Sequence, residues 1–180
     1  MKTWMALFRG INVGGKVLPM KALTAILEAA GCREVRTYVQ SGNAVFRHAA
    51  GSAAQVSARV RAAVAKAKIG FEPQVLILDR KELQKAAAAN PFPEAVANPR
   101  SLHLFFLAAR PPKPDLTALE DLRSGKEAFV LSNKVFYLLT PDGFGISKLA
   151  QRVERSLGVE ATARNWRTVN AVLELANSEK

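Results

Sequence analysis

The chain has 180 residues, 49% of them hydrophobic, with a net charge of +11 and a sequence pI near 10.2. That composition predicts a packed globular core and excludes extended disorder. No apolar run approaches the ~20 residues that a membrane-spanning helix needs. Trp4–Phe8 stops at Arg9, too short for the core of a secretory signal, so a cytoplasmic location is expected. Cys32 is the only cysteine, which excludes an intramolecular disulfide and reads as a packed small side chain. The charge is uneven: residues 1–80 carry twelve basic and four acidic side chains, the remainder fourteen and eleven. A basic surface concentrates polyanions around it, although here the charge forms no run and no tail.

In chain order, Thr3–Phe8 reads as a first strand, followed by the glycine-containing loop Arg9–Lys16. Pro19 suits a helix start, and Met20, Leu23, Ile26, Leu27 and Ala30 recur at helical spacing up to Gly31. Val35, Thr37 and Val39 alternate with Arg36, Tyr38 and Gln40, as in a strand with one polar face. Ser41-Gly42-Asn43 is turn chemistry, and Ala44–Arg47 is the returning strand. A helix over about Ala53–Lys68 and a strand at Val75–Leu78 complete a βαββαβ order. Arg80–Ala89 predicts a connecting helix, stopped by Asn90-Pro91-Phe92-Pro93.

The order then repeats. Leu102–Leu107 is a strand, and Leu116, Leu119 and Leu122 mark a short helix. Ala128–Leu131 and Val135–Leu139 flank a hairpin turn, Leu149, Val153 and Leu157 define a helix, and Ala161–Ala163 is a short strand. A helix over Trp166–Ala176 follows. The expected fold is therefore α+β: tandem ferredoxin-like halves with antiparallel sheets, plus extra connecting and C-terminal helices. The expected division is 1–80, a connector at 81–99, and 100–180. Several strands are apolar without alternation, which predicts that the second face of each sheet is buried as well, by the other half, the extra helices or a second copy.

In this topology the Arg9–Lys16 loop should lie beside the Gln40–Asn43 turn. Arg9, Asn12, Lys16, Ser41 and Asn43 then surround one spot, where Gly14 and Gly15 let backbone N–H groups approach an anion before a helix start. The spacing is not that of a P-loop. In the second half, Gly143 and Gly145 lead to Ser147 and Lys148, and Arg164, Asn165 and Trp166 lie where the last strand meets the last helix. Ser147 and Asn165 suit helix capping, and with Lys148, Arg164 and the Trp166 ring they form a second candidate ligand site. His48 and His103 are the only histidines, and neither has metal-ligand spacing. His103, in an apolar strand, reads as a satisfied core residue. No nucleophile elbow, Ser-x-x-Lys motif or carboxylate pair stands out, so catalytic residues stay unassigned and the reading leans away from an enzyme, with no cofactor or metal expected.

Five segments carry a resemblance: Leu7–Lys16, Thr37–Asn43, Asn90–Phe92, Ser147–Leu149 and Thr162–Val169. In these the chain resembles the small bacterial proteins of domain-of-unknown-function family 1697. The resemblance implies the tandem ferredoxin-like fold and supplies no activity. Arg167 departs from it, standing where a polar Asn is expected after the tryptophan.

The expected function is binding of a small anionic or phosphate-bearing ligand through glycine-containing loops at helix N-termini. The first alternative is sequence-nonspecific nucleic-acid binding through basic loops, by phosphate contacts. The second is a structural or partner-binding module using an apolar sheet face, as monomer or homodimer. No membrane partner is expected.

Overall fold

The computed structural model describes residues 1–40 and 42–178. It contains two four-stranded antiparallel sheets. The first half runs β1 (Lys2–Arg9), α1 (Met20–Ala29), β2 (Arg33–Tyr38), β3 (Asn43–His48), α2 (Ala53–Ala67) and β4 (Gln74–Asp79). Its sheet has the order β2-β3-β1-β4, with the first and third strands central as in the ferredoxin-like split βαβ. After α3 (Arg80–Ala88) and a 3₁₀ turn at Pro93–Ala97, the second half runs β5 (Leu102–Leu107), α4 (Leu116–Asp121), β6 (Ala128–Ser132), β7 (Val135–Leu139), α5 (Lys148–Leu157) and β8 (Ala161–Asn165). Its order, β6-β7-β5-β8, repeats that of the first sheet. The last helix is α6 (Trp166–Asn177).

The chain divides into two compact units. One comprises Met1–Lys85 together with the chain from Asn170 onward, and the other Ala86–Val169. The division read from sequence kept the C-terminal helix whole within the second half; the compact units share it.

Strand alternation explains the core of each unit. Trp4, Ala6 and Phe8 of β1 pack with Leu23, Ile26 and Leu27 of α1 and with Val56, Val60 and Val64 of α2. The intervening Met5 and Leu7 are 0% and 2% exposed, so the opposite face is covered too. Leu83, Val172 and Ala176 of the same unit are likewise buried. In the second unit, Phe105 and Leu107 face Leu119 of α4 and Leu149, Val153 and Leu157 of α5. There Leu102, Leu104 and Phe106 are buried on the other face, where the Tyr137 hydroxyl donates to the Ala86 carbonyl at 2.8 Å. The chain alone thus buries both faces, which accounts for strands that are apolar without alternation.

Helix ends follow capping chemistry. Ser52 accepts from Gln55 N at the start of α2, and Asp115 from Ala118 N at the start of α4. Asp79 and Glu82 form a reciprocal capping box at α3, each carboxylate accepting the other's backbone N–H at 2.8 Å. β2 departs from a regular strand: its register shifts between Arg33 and Arg36, and Glu34 takes a φ of 54°.

Candidate functional site

The β1–α1 loop does lie beside the β2–β3 turn. Asn12 makes the junction: its Nδ2 donates to Leu18 O at 2.9 Å and to Gln40 O at 2.7 Å, and its Oδ1 accepts from Leu18 N at 2.8 Å. Phe8 N also donates to Gly42 O at 2.8 Å. The Asn12 amide is fully used in bracing the loop and has no donor left for a ligand. Gly14 and Gly15 have φ of 56° and 80° between Val13 and Lys16, with Lys16 N bonded to Val13 O at 3.1 Å. A two-residue turn with positive φ at both central positions accounts for this glycine pair. Lys16 is exposed at that turn, and Arg9, also exposed, donates to Gln74 Oε1 at 3.3 Å. Asn43 is 0% exposed, its amide donating to Tyr38 O, so it belongs to the strand interior. Ser41 lies outside the described residues. Of this first set, the structure places Asn12, Gly14, Gly15 and Lys16 in one loop and Arg9 at its root, on the last position of β1, and only the two basic side chains are both exposed and chemically suited to an anion.

The second set divides in the same way. Ser147 is buried and accepts from Ala150 N at 3.0 Å, capping α5. Asn165 accepts from Thr168 N at 2.8 Å, capping α6. Lys148 is exposed on the first turn of α5. Arg164 is partly buried, donates to Ala163 O at 2.8 Å, and burial pulls its guanidinium down to about 10, so it stays charged at neutral pH. Trp166 is 7% exposed and offers no open ring face; its Nε1 is buried without a hydrogen-bond partner.

Both histidines are packed into the fold. His48 is the last residue of β3; it is buried, with Nδ1 accepting from Ala50 N at 2.8 Å and Nε2 lying 3.3 Å from Ala30 O. His103 stacks on Phe144 with ring centroids 3.8 Å apart. Burial holds its pKa down to about 4, and its Nδ1 is buried with no partner. It is packed, as expected, but it is not satisfied. Cys32 is buried, and burial pushes its thiol up to about 12, so it is an inert packing residue. Among the described residues no three His, Cys, Asp or Glu side chains gather as a metal site requires, and no helix is long and apolar enough to cross a membrane.

A further basic cluster lies elsewhere in the first unit. At the end of its sheet where β1 begins is a cavity of about 570 Å³. Lys2, Arg36, Arg47, Arg80 and Lys81 line it, against the carboxylates Glu34 and Asp79. The register explains the assembly. Arg36 pairs with Val45 and Thr3 with Arg47, so β2, β3 and β1 place these residues on the sheet face opposite α1 and α2. Arg80 and Lys81 enter from the start of α3, and Ala176 and Ser178 from the end of α6. Arg36 is held in place: its Nη1 donates to Ser178 O at 3.1 Å and to Ser178 Oγ at 2.6 Å. Its Nε is buried and meets no acceptor among the described residues. Arg47 is paired with Glu34 at 3.3 Å, an exposed bridge worth little. The sequence carried a partial signal for this cavity in the polar face of β2, but the partner residues come from five other elements.

The sequence profile of the family described as "Protein of unknown function (DUF1697)" matches residues 1–137. The segments Ser147–Leu149 and Thr162–Val169 lie beyond the matched span. No curated protein matches the chain. Among solved structures, the conserved bacterial protein SP0830 from Streptococcus pneumoniae is similar over 99% of this chain and 99% of its own, with a TM-score of 0.72 and 19% identity. At that identity the likeness speaks to the fold, which it extends past residue 137 to the whole chain. With three quarters of its length matched and the motifs of the first loop and turn inside the match, this chain belongs to the DUF1697 family.

Proposed function

We propose that the protein binds a small anionic, phosphate-bearing ligand, and that the seat is the basic cavity at the end of the first sheet where β1 begins. The observation that carries this reading is the surplus of positive side chains there among the described residues, five against two carboxylates, with Arg36 held in place by Ser178. A phosphate oxygen meets such side chains through charge-assisted hydrogen bonds. The glycine loops, first choice from sequence, are less favoured because Asn12, Asn43, Ser147 and Asn165 spend their polar groups on the fold. The partner-module alternative loses its apolar sheet face, since Met5 and Leu7 are buried in the chain itself. A cytoplasmic setting, where phosphorylated metabolites are abundant, suits this function.

Titration calorimetry with sodium phosphate, against sodium chloride of equal ionic strength, tests it. Saturable heat with phosphate, weakened about tenfold or more in Arg36→Gln, is expected, as the loss of one charged hydrogen bond implies. No saturable heat, or equal heat in Arg36→Gln, would falsify the reading.

A further inference from the structure

We infer that the ligand of this cavity carries two or more phosphoryl groups set apart along its length; the inference rests on the anion-binding reading above. It follows from where the available charge lies. Arg36 stands on β2, at one edge of the sheet, whereas Arg80 and Lys81 follow directly on β4 at the other. Three strand spacings of about 4.8 Å separate those edges, so the Cα positions lie roughly 14 Å apart. Between them stand Arg47, in an exposed bridge to Glu34 at 3.3 Å, and Lys2, which keeps its charge while Nζ donates to Gly51 O at 3.2 Å. Thr3 and Val45, both uncharged, line the cavity between the two ends.

The cavity therefore carries positive side chains from one end to the other. Asp79, the remaining carboxylate, has its Oδ1 committed to Glu82 N in the capping box. A single phosphate fills only a small part of about 570 Å³ and meets one end. An elongated polyphosphate or bisphosphorylated metabolite engages both. Ser178 accepts from Arg36 Nη1 and so fixes the guanidinium at one end of the cavity. No aromatic side chain lines the cavity with an open face, Phe46 being 1% exposed, so the recognised chemistry is the phosphoryl groups and not a stacked base.

The test compares orthophosphate, pyrophosphate, inorganic tripolyphosphate and a single-stranded DNA dodecamer by calorimetry on the full chain at fixed ionic strength. The inference expects tripolyphosphate to bind at least tenfold more tightly than orthophosphate. Arg36→Lys, and separately the exposed pair Arg80→Gln/Lys81→Gln, should each remove most of that gain, while Lys16→Gln in the loop changes nothing. Orthophosphate binding as tightly as tripolyphosphate, or a gain insensitive to the Arg80/Lys81 pair, overturns the two-ended ligand and leaves the anion reading standing. Absence of binding by every anion overturns both. DNA binding far above tripolyphosphate, and lost in the same variants, replaces the small ligand with a nucleic-acid strand.

Discussion

The Asn12 amide nitrogen lies 2.7 Å from the carbonyl oxygen of Gln40 and joins two segments 28 residues apart in sequence. The same side chain closes the loop onto Leu18 through both its donor and its acceptor. Asn12→Ala strands the Leu18 N–H and removes a donor from two carbonyls, so a loss of about 2–3 kcal/mol is expected from equilibrium urea unfolding. Lys16→Ala, at an exposed position of the same loop, should stay within about 0.5 kcal/mol of the parent. Equal losses in the two variants would show that the loop is not braced through Asn12.

Two glycines in this region separate backbone strain from steric conflict. Gly14 has φ 56° and open space around a built Cβ. Gly42 has φ 77°, and a Cβ there meets Ile11 Cδ1 at 2.5 Å and Phe8 Cβ at 2.8 Å. Gly14→Ala should therefore cost only the left-handed backbone penalty, about 1–2 kcal/mol. Gly42→Ala adds overpacking against two buried side chains, about 1–3 kcal/mol more. Thermal midpoints of the two variants measured side by side check the order, and a Gly14 variant as damaged as the Gly42 variant contradicts it.

What was legible in the sequence is the part set by periodicity. The two βαββαβ runs, their turns and the burial of both sheet faces follow from apolar spacing that any register preserves. The juxtaposition of loop and turn followed from topology alone. The roles of individual polar residues did not follow, because an Asn that caps or braces and an Asn that binds a ligand look alike in one dimension. Asn12, Ser147 and Asn165 all proved to serve the backbone. The cavity was hidden for a different reason. Arg36 and Arg47 become neighbours only through the β2–β3 register, with its irregularity at Glu34, and Ser178 reaches Arg36 across 142 residues. Long-range pairing of this kind leaves no local signature.

His103 gives a pH prediction. Its pKa in the folded chain is held near 4 by burial, below the ordinary value of 6.5. The unfolded chain takes up a proton as pH falls through 6.5, whereas the folded chain does so only near 4. Stability must therefore fall as pH drops between those values and level off below them. The full effect is about 3 kcal/mol at most. His103→Phe keeps the stacking on Phe144, removes the unpartnered Nδ1 and should flatten that slice of the profile. Urea unfolding at pH 7, 5.5 and 4 checks it, and parallel profiles for parent and variant would place the titration elsewhere.

Val39 is the one β-branched residue among the described positions with positive φ, at 51°, and it sits next to Gln40, the carbonyl that Asn12 holds. A left-handed backbone costs a β-branched residue roughly 1–2 kcal/mol, and with 50% of its surface exposed Val39 recovers little of that by burial. Val39→Asn, a residue tolerant of this conformation, should stabilise the chain by about 1 kcal/mol. Val39→Gly should gain less, because the unfolded chain gains freedom as well. The phosphate titration on the same variants separates geometry from function. Raised stability with unchanged phosphate affinity means that the strain merely lets the turn meet Asn12. Raised stability with weakened affinity ties the turn to ligand binding, since strain retained at a functional site is relieved only at the expense of that function.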